Sequence, residues 1–342
     1  MREPPTSETT TFKTIILAPG DDDIARVAGH LAAGGIAALP SETVYGLFGD
    51  AGNPDAVAAI FAAKGRPGFN PLIAHVRDES AAQALAVFTQ KAAALAQAFW
   101  PGPLTLVLPA RPAAGVCDLA RAGLDTVAVR VSAHPVLQRI LTHPSLGGRA
   151  LAGPSANRSG RISPTTAKAV NDELGGLMPY ILDAGPTRVG LESTIVGFSA
   201  DHHTSHPPVL LRPGTITAEA LADHLGVYPT VPTSGDPVSA PGMLASHYAP
   251  RARVRLEAEC PRDGEAWLGF GANPDMAPGT PTLSLSESGD LREAASRLYA
   301  SLRTLDAHDV AGIAVAPIPE QGLGAAINDR LRRAAAPRPS NS

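Results

Sequence analysis

Short apolar runs of strand type recur along the chain with helix-type segments between them, and this irregular alternation restricts the fold to the α/β class. "LTLVL", "TVAVRV", "YILDA", "STIVGF" and "VLLR" read as strands. "DDDIARVAGHLAAGG" reads as a helix: acids open it, Ile24, Val27, Ala28 and Leu31 recur at helical spacing, and Gly34 and Gly35 stop it. A strand, "IAALP", follows. Asn53 and Pro54 cap a second helix carrying Val57, Ile60 and Phe61, with Lys64 just past its end, and "PLIAHV" is the next strand. One long alanine-rich helix is expected over residues 78–98, with shorter ones near 135–142 and 165–174. The pattern predicts a twisted, mixed sheet with flanking helices rather than a regular doubly wound one.

Beyond a stretch rich in Pro, Ser and Gly, "YPTVPTSGDPVSAPG", the segments "RVRLEAE", "AWLGFGA" and "AGIAVAPI", a helix near 290–307 and the final "AAINDRLRRAAA" predict a smaller, Rossmann-like α/β domain. The expected division is a disordered N-terminus at 1–13, a catalytic-type domain at 14–227, a linker at 228–250 and the small domain at 251–342. The 33 glycines and 33 prolines are otherwise spread between periodic segments, as turn punctuation.

Composition excludes several classes. Two cysteines, Cys117 and Cys260, build neither a disulfide framework nor a CxxC zinc site. A formal net charge of -4 argues against a protein that wraps a nucleic-acid backbone, which needs basic stripes. No apolar run is long enough to cross a bilayer and the start has no signal-type segment, so the expectation is a cytoplasmic protein without a membrane partner. Neither GxxxxGK[ST] nor GxGxxG opens a helix after a strand, so no standard nucleotide motif is present. The histidines of "DHHTSHPP" lie in a polar, Pro-rich loop without an acid pattern and read as exposed loop, not as a metal site.

Polar groups instead cluster at strand ends. "LPSETVYGL" follows the first strand, and "KGRPGFNPLIAH" brings Lys64, Arg66, Asn70 and His75 around the second. Thr126 and Arg130 share one strand face, "PSANRSGRISPT" supplies Ser155, Asn157 and Ser163, and Ser193 and Arg212 come from the last strands. Such loops are where α/β proteins build small-molecule sites. Lysine and arginine two apart, beside glycines that free backbone amides, suit a polyphosphate. Hydroxyls and amides suit phosphate oxygens or the hydration shell of magnesium. Taken alone, Lys64 and Arg66 fit a cationic helix C-terminus equally well, His75 a core-edge position, Arg130 a solvated strand face and "PSANRSG" an ordinary turn. Recurrence at five strand ends favours the functional reading.

These segments, with "WPGPLTLVL", "ESTIV", "LLRPG", "APGMLASHYAP" in the linker and "GLGAAINDRLRRAA" at the end, closely resemble the YrdC-like threonylcarbamoyl-AMP synthases in their two-domain form. The resemblance runs over about residues 15–335 and rests on the order and number of its motifs, K-x-R at Lys64 and Arg66 and S-x-N at Ser155 and Asn157 among them. It implies a nucleotidyltransferase that joins ATP, L-threonine and bicarbonate into threonylcarbamoyl-AMP with release of pyrophosphate, using magnesium. It also implies a downstream threonylcarbamoyl-transferase complex that delivers the group to adenosine beside the anticodon of certain tRNAs, with at most weak tRNA contact here. Carried over by position, Lys64 and Arg66 are catalytic, and Lys64, Arg66, Asn70, Thr126, Ser155, Asn157, Ser163 and Arg212 hold ATP. Thr43, His75, Arg130 and Ser193 hold threonine, and His247 or Tyr248 reaches the site from the linker. Ser41 stands where relatives often have threonine and keeps the hydroxyl; "MLASHY" departs from relatives with lysine and tyrosine before the histidine. The alternative of another class is an RNA-binding or regulatory module that keeps the fold without catalysis. A hydrogenase-maturation carbamoyltransferase, which shares the domain, carries cysteine-rich zinc motifs that two lone cysteines do not supply.

Overall fold

Short, largely apolar and mostly buried runs build one mixed sheet of ten strands: β1 (Ile15–Leu17), β2 (Ala37–Leu39), β3 (Gly46–Asp50), β4 (Ile73–His75), β5 (Leu104–Pro109), β6 (Thr126–Arg130), β7 (Leu151–Ala152), β8 (Tyr180–Leu182), β9 (Thr194–Gly197) and β10 (Val209–Arg212). Their spatial order is β1-β8-β2-β3-β7-β4-β6-β5-β9-β10. Parallel pairs join β1 to β8, β8 to β2, β4 to β6 and β5 to β9, and the remaining pairs are antiparallel. This is the expected mixed sheet. The computed structural model describes residues 11–112, 115–198, 207–232 and 246–337. Residues 1–10, the middle of the expected linker and most of the histidine-containing loop at 201–208 lie outside them.

The helices of this domain are α1 (Asp21–Ala32), α2 (Pro54–Lys64), α3 (Glu79–Leu85), α4 (Gln90–Phe99), α5 (Asp118–Arg121), α6 (Pro135–Leu141), α7 (Ala167–Leu174) and α8 (Ala218–Leu225). Asn53 caps α2 as expected, its side chain accepting from the amides of Asp55 at 2.9 Å and Ala56 at 3.3 Å. Lys64 is the last helical residue rather than the first beyond it, because Gly65 at φ 59° makes the turn. The single helix expected over 78–98 is two. Val87 donates its amide to Pro109 O at 2.9 Å and Ala86 bridges Ala110, so the chain leaves the helix to pair with the end of β5 before Thr89 caps α4.

The two sheet faces are covered differently. Leu47, Leu106 and Val129 on one face pack with Val57, Ile60, Leu95 and Leu221 of α2, α4 and α8. On the other face α1 and α6 bring Val27, Leu31, Leu137 and Ile140 onto Leu39, Phe48 and Leu151. Beyond Phe48 that second face carries a small apolar floor, Ile73, Val107, Ala128 and Ile195, and beside it His75 and Arg130 at the strand ends. The candidate residues converge there.

The second domain is a parallel sheet of β11 (Arg253–Arg255), β12 (Glu265–Gly269), β13 (Thr282–Ser284) and β14 (Gly312–Val315), in the order β11-β14-β12-β13, with α9 (Leu291–Asp306) and α10 (Leu323–Ala335). Its apolar core incorporates Val44, Ile162 and Leu191 of the first domain among Leu298, Leu302, Ile313 and Ile327. Two domains that share a core are expected to unfold together. Leu191→Ala is expected to cost about 2–5 kcal/mol and to lower one common transition in scanning calorimetry; a second-domain transition that stays in place would show the cores to be independent.

Candidate active site

One half of the site is set by three strand ends. His75 closes β4 directly opposite Arg130, the last residue of β6. Facing them, Ser41 tightens the turn after β2: its hydroxyl donates to Val44 O at 2.6 Å and accepts from the amides of Thr43 and Val44 at 3.2 Å each. That turn presents Thr43 Oγ1 to Arg130 Nη1 at 3.1 Å and Glu42 Oε1 to Arg130 Nη2 at 2.8 Å. Glu42 also accepts from Ser132 Oγ and, at 3.1 Å, from the Ala133 amide. Burial alone would raise its pKa; the Arg130 charge and these hydrogen bonds outweigh it and bring the carboxyl to about 2. His75 is taken the other way. Burial first, then the Arg130 charge, lowers it to about 3, so the imidazole is neutral, with the Phe48 ring edge-on at 5.0 Å.

The second half is built from loops. Lys64, buried at the end of α2, donates Nζ to Ser155 O at 2.5 Å and to Asn157 O, so it ties the "PSANRSG" loop to the helix. Burial, aided by the Arg66 charge, holds its ammonium well below the usual lysine range. Arg66 donates Nε to Asn70 O at 3.2 Å and Nη2 to Pro71 O at 2.9 Å, and forms no ion pair with a carboxylate among the described residues. Arg212, at the end of β10, donates Nε to Ser193 O and Nη2 to Ser193 Oγ, both at 3.0 Å. From the linker, His247 donates its amide to Arg333 O at 3.1 Å, and its Nδ1 accepts the Tyr248 amide at 3.0 Å. Burial lowers His247 to about 3, so the neutral ring carries its proton on Nε2.

Thr43, Arg66, His75, Arg130, Ser155, Arg212, His247 and Tyr248 line one cavity. The other candidates stand around it. Lys64 lies behind the loop and Asn157 within it, neither lining the cavity, and Asn157 Nδ2 donates to Arg158 O at 2.7 Å and Arg161 O at 2.9 Å. Ser163 donates to Glu192 Oε1 at 2.5 Å, and Ser193 Oγ lies 2.7 Å from Thr105 Oγ1. Thr126 begins β6 opposite Pro109, on the face of Arg130 but at the far end of the apolar floor. Lys64, expected to meet phosphates as a point charge, thus holds backbone carbonyls instead. Among the candidates, buried atoms without a hydrogen-bond partner include both polar atoms of the Asn70 side chain, His75 Nδ1 and Asn157 Oδ1, and of these three residues His75 alone lines the cavity. Such atoms mark places where a ligand supplies the missing partner. Sequence reasoning passed over the two carboxylates, Glu42 and Glu192, although both stand inside quoted motifs. Their partners are distant in the chain, and only an acid within a strand-end cluster signalled them.

Comparison with known proteins bears on this geometry. A family model described as telomere recombination matches residues 30–214, and one described as threonylcarbamoyl-AMP synthase, C-terminal domain, matches 216–336. A threonylcarbamoyl-AMP synthase of Pyrococcus abyssi is 40% identical over 324 residues, 90% of this chain and 92% of that one. The chain belongs to the threonylcarbamoyl-AMP synthase family. A synthase of Bacillus subtilis is 37% identical over 337 residues, covering 93% of this chain and 94% of its own. A solved structure of the Pyrococcus abyssi protein complexed with L-threonine superposes with a TM-score of 0.84 at 37% identity, covering 94% of this chain and 98% of that one. As a threonylcarbamoyl-AMP synthase family member the chain therefore carries both domains.

The buried neutral histidines set an acid limit on stability. His75 and His247 have folded pKa values near 3, below the ordinary 6.5, so the unfolded chain binds more protons between those values. Their contribution is complete above pH 6.5 and is lost as pH falls toward 3. Glu42 and Glu192, both held near 2 in the fold, add to the loss only below about 4.5. Denaturant titrations are expected to show stability falling from pH 6.5 to 4.5, by up to about 2.7 kcal/mol per pH unit for the two histidines together. His75→Gln should reduce that slope; a flat profile over this interval would contradict the assignment.

Proposed function

We propose that this chain joins L-threonine, bicarbonate and ATP into threonylcarbamoyl-AMP and pyrophosphate, for the threonylcarbamoyladenosine modification of tRNA. The observation that carries the reading is one cavity with two kinds of wall. Thr43, His75 and Arg130 suit an amino acid, and Arg66, Ser155 and Arg212 suit a polyphosphate. Membership of the synthase family in its two-domain form supports it.

In this reading Arg130 receives the threonine carboxylate and remains paired with Glu42, so its guanidinium is aimed before substrate arrives. Neutral His75 offers an acceptor rather than a competing cation. The threonine amine adds to bicarbonate-derived carbon dioxide to give a carbamate, and a carbamate oxygen attacks the α-phosphorus while pyrophosphate departs. The nucleophile is already an anion, so positioning and charge neutralisation carry the step and no strong base is required. Arg66 and Arg212 meet the phosphate charge. Lys64 acts by holding the carbonyls of Ser155 and Asn157, which aims the loop. Tyr248 and His247 wall off the mixed anhydride from water.

Magnesium enters as MgATP. The described residues contain no group of three His, Cys, Asp or Glu that could cage a cation, and Glu42 and Glu192 are committed to Arg130 and Arg330. A cation bound to the triphosphate through its own waters fits hydroxyl neighbours such as Ser155. We place the reaction in the cytoplasm, with the adenylate passed to a threonylcarbamoyl-transferase and tRNA contact weak. No helix among the described residues is long and apolar enough to cross a membrane.

Pyrophosphate release from MgATP should require both threonine and bicarbonate; release that ignores either omission would refute the reading. Arg66→Ala and Lys64→Ala are each expected to slow release by at least about tenfold, the scale of a lost charge-assisted contact. Salt-dependent tRNA binding without turnover would favour a non-catalytic module instead.

A further inference from the structure

Glu192 precedes β9 and receives hydrogen bonds from both domains. Ser163 Oγ donates to its Oε1 at 2.5 Å, while Tyr299 Oη and Arg330 Nε donate to Oε2 at 2.8 Å and 3.0 Å. Tyr299 belongs to α9 and Arg330 to α10. Arg330 is fully buried, donates Nη1 to Pro213 O at 2.6 Å, and holds its guanidinium carbon 5.5 Å from the centre of the Tyr248 ring. Tyr299 stacks on the same ring at 5.6 Å. Tyr248 itself is held at φ 61°, a conformation that needs such support.

The loop that carries Glu192 reaches every other wall. Its Val189 and Gly190 amides donate to the carbonyls of Glu42 at 2.9 Å and Thr43 at 3.1 Å, and Ser193 receives Arg212. Gly190 has φ +79°, and a Cβ there would stand 2.5 Å from Ser296 Cα, so the loop lies hard against α9. Cohesion between the domains comes from the shared apolar core and needs no buried charge. A buried carboxylate with a buried guanidinium is a costly way to join surfaces, and is better suited to fixing geometry.

Resting on the reading that the cavity binds ATP and threonine, we propose that Glu192 is a positioning residue through which the second domain sets the ATP side of the site. Its carboxylate fixes Ser163. Glu192 lines the cavity beside Arg66 and Arg212, and through Arg330 and Tyr299 it also fixes Tyr248 on the same wall. The threonine side is held by the Glu42–Arg130 pair, which the Glu192 carboxylate does not contact; only backbone amides of its loop reach Glu42 and Thr43.

The test titrates the full-length chain separately with ATP and with threonine by calorimetry and measures pyrophosphate release alongside. Glu192→Gln should weaken ATP binding by about tenfold and leave threonine binding within about twofold. Tyr299→Phe, which keeps the stack on Tyr248 and loses one donor, should weaken ATP binding by about threefold. Ser163→Ala combined with Glu192→Gln should be no worse for ATP than the worse single variant, as two groups acting in one chain of contacts require. Arg332→Gln, which breaks an exposed pair between α10 and Glu320 in the segment before it, is the control and should change neither affinity. A merely structural Glu192 would lower the melting temperature and leave the ATP affinity of the folded variants unchanged; that result, or full additivity with Ser163→Ala, would overturn the proposal. If Glu192→Gln does not fold, Tyr299→Phe decides alone. Failure of the parent reading looks different: wild-type protein would bind ATP yet release pyrophosphate without regard to threonine.

Discussion

A guanidinium removed from water needs a carboxylate or a fan of carbonyls, and the site depends on how this chain meets that demand. Glu42 answers Arg130 from a turn fixed by Ser41, and Glu192 answers Arg330 from the neighbouring domain. Each pair immobilises the loop that supplies its acid. Arg66 is met by the Asn70 and Pro71 carbonyls, which leaves its positive charge unneutralised by any carboxylate among the described residues. The cavity is therefore neutral where its walls must be rigid, and positive where a phosphate is to bind.

The same pairs explain the division of labour between domains. The first domain supplies the floor and most polar side chains, but its Val44, Ile162 and Leu191 pack into the core of the second. The loop from 189 to 193 then carries the second domain's influence into the site. A one-domain chain with these residues would expose that apolar surface and leave Glu192 without Arg330 and Tyr299.

Much of this was legible in the sequence, because short-range signals carry it. The mixed sheet follows from the strand-like runs, and the α2 start follows from Asn53 and Pro54. The clusters that line the cavity stood at recognisable strand ends. What was not legible is long-range. Glu192 and Arg330 lie 138 residues apart, and Glu42 and Ser132 lie 90 apart, so no periodicity reports their pairing. Lys64 has the composition of a phosphate ligand, yet its ammonium turns to carbonyls because the helix end buries it. β3 begins only at the last two residues of "SETVYGL" and runs on to Asp50, and the polar residues of the turn before it masked the strand. The alanine-rich stretch broke at Val87 and Phe88, since β5 offered backbone partners that helix propensity does not foresee.

The chemistry proposed for the cavity predicts where each atom goes. Supplying carbon-labelled bicarbonate and nitrogen-labelled threonine with MgATP, and weighing the nucleotide formed by rapid mass spectrometry, follows those atoms directly. The account predicts an adenylate that carries both labels and appears in step with pyrophosphate. An adenylate carrying the threonine label alone would mean direct activation of the amino-acid carboxylate, and would contradict attack by a carbamate.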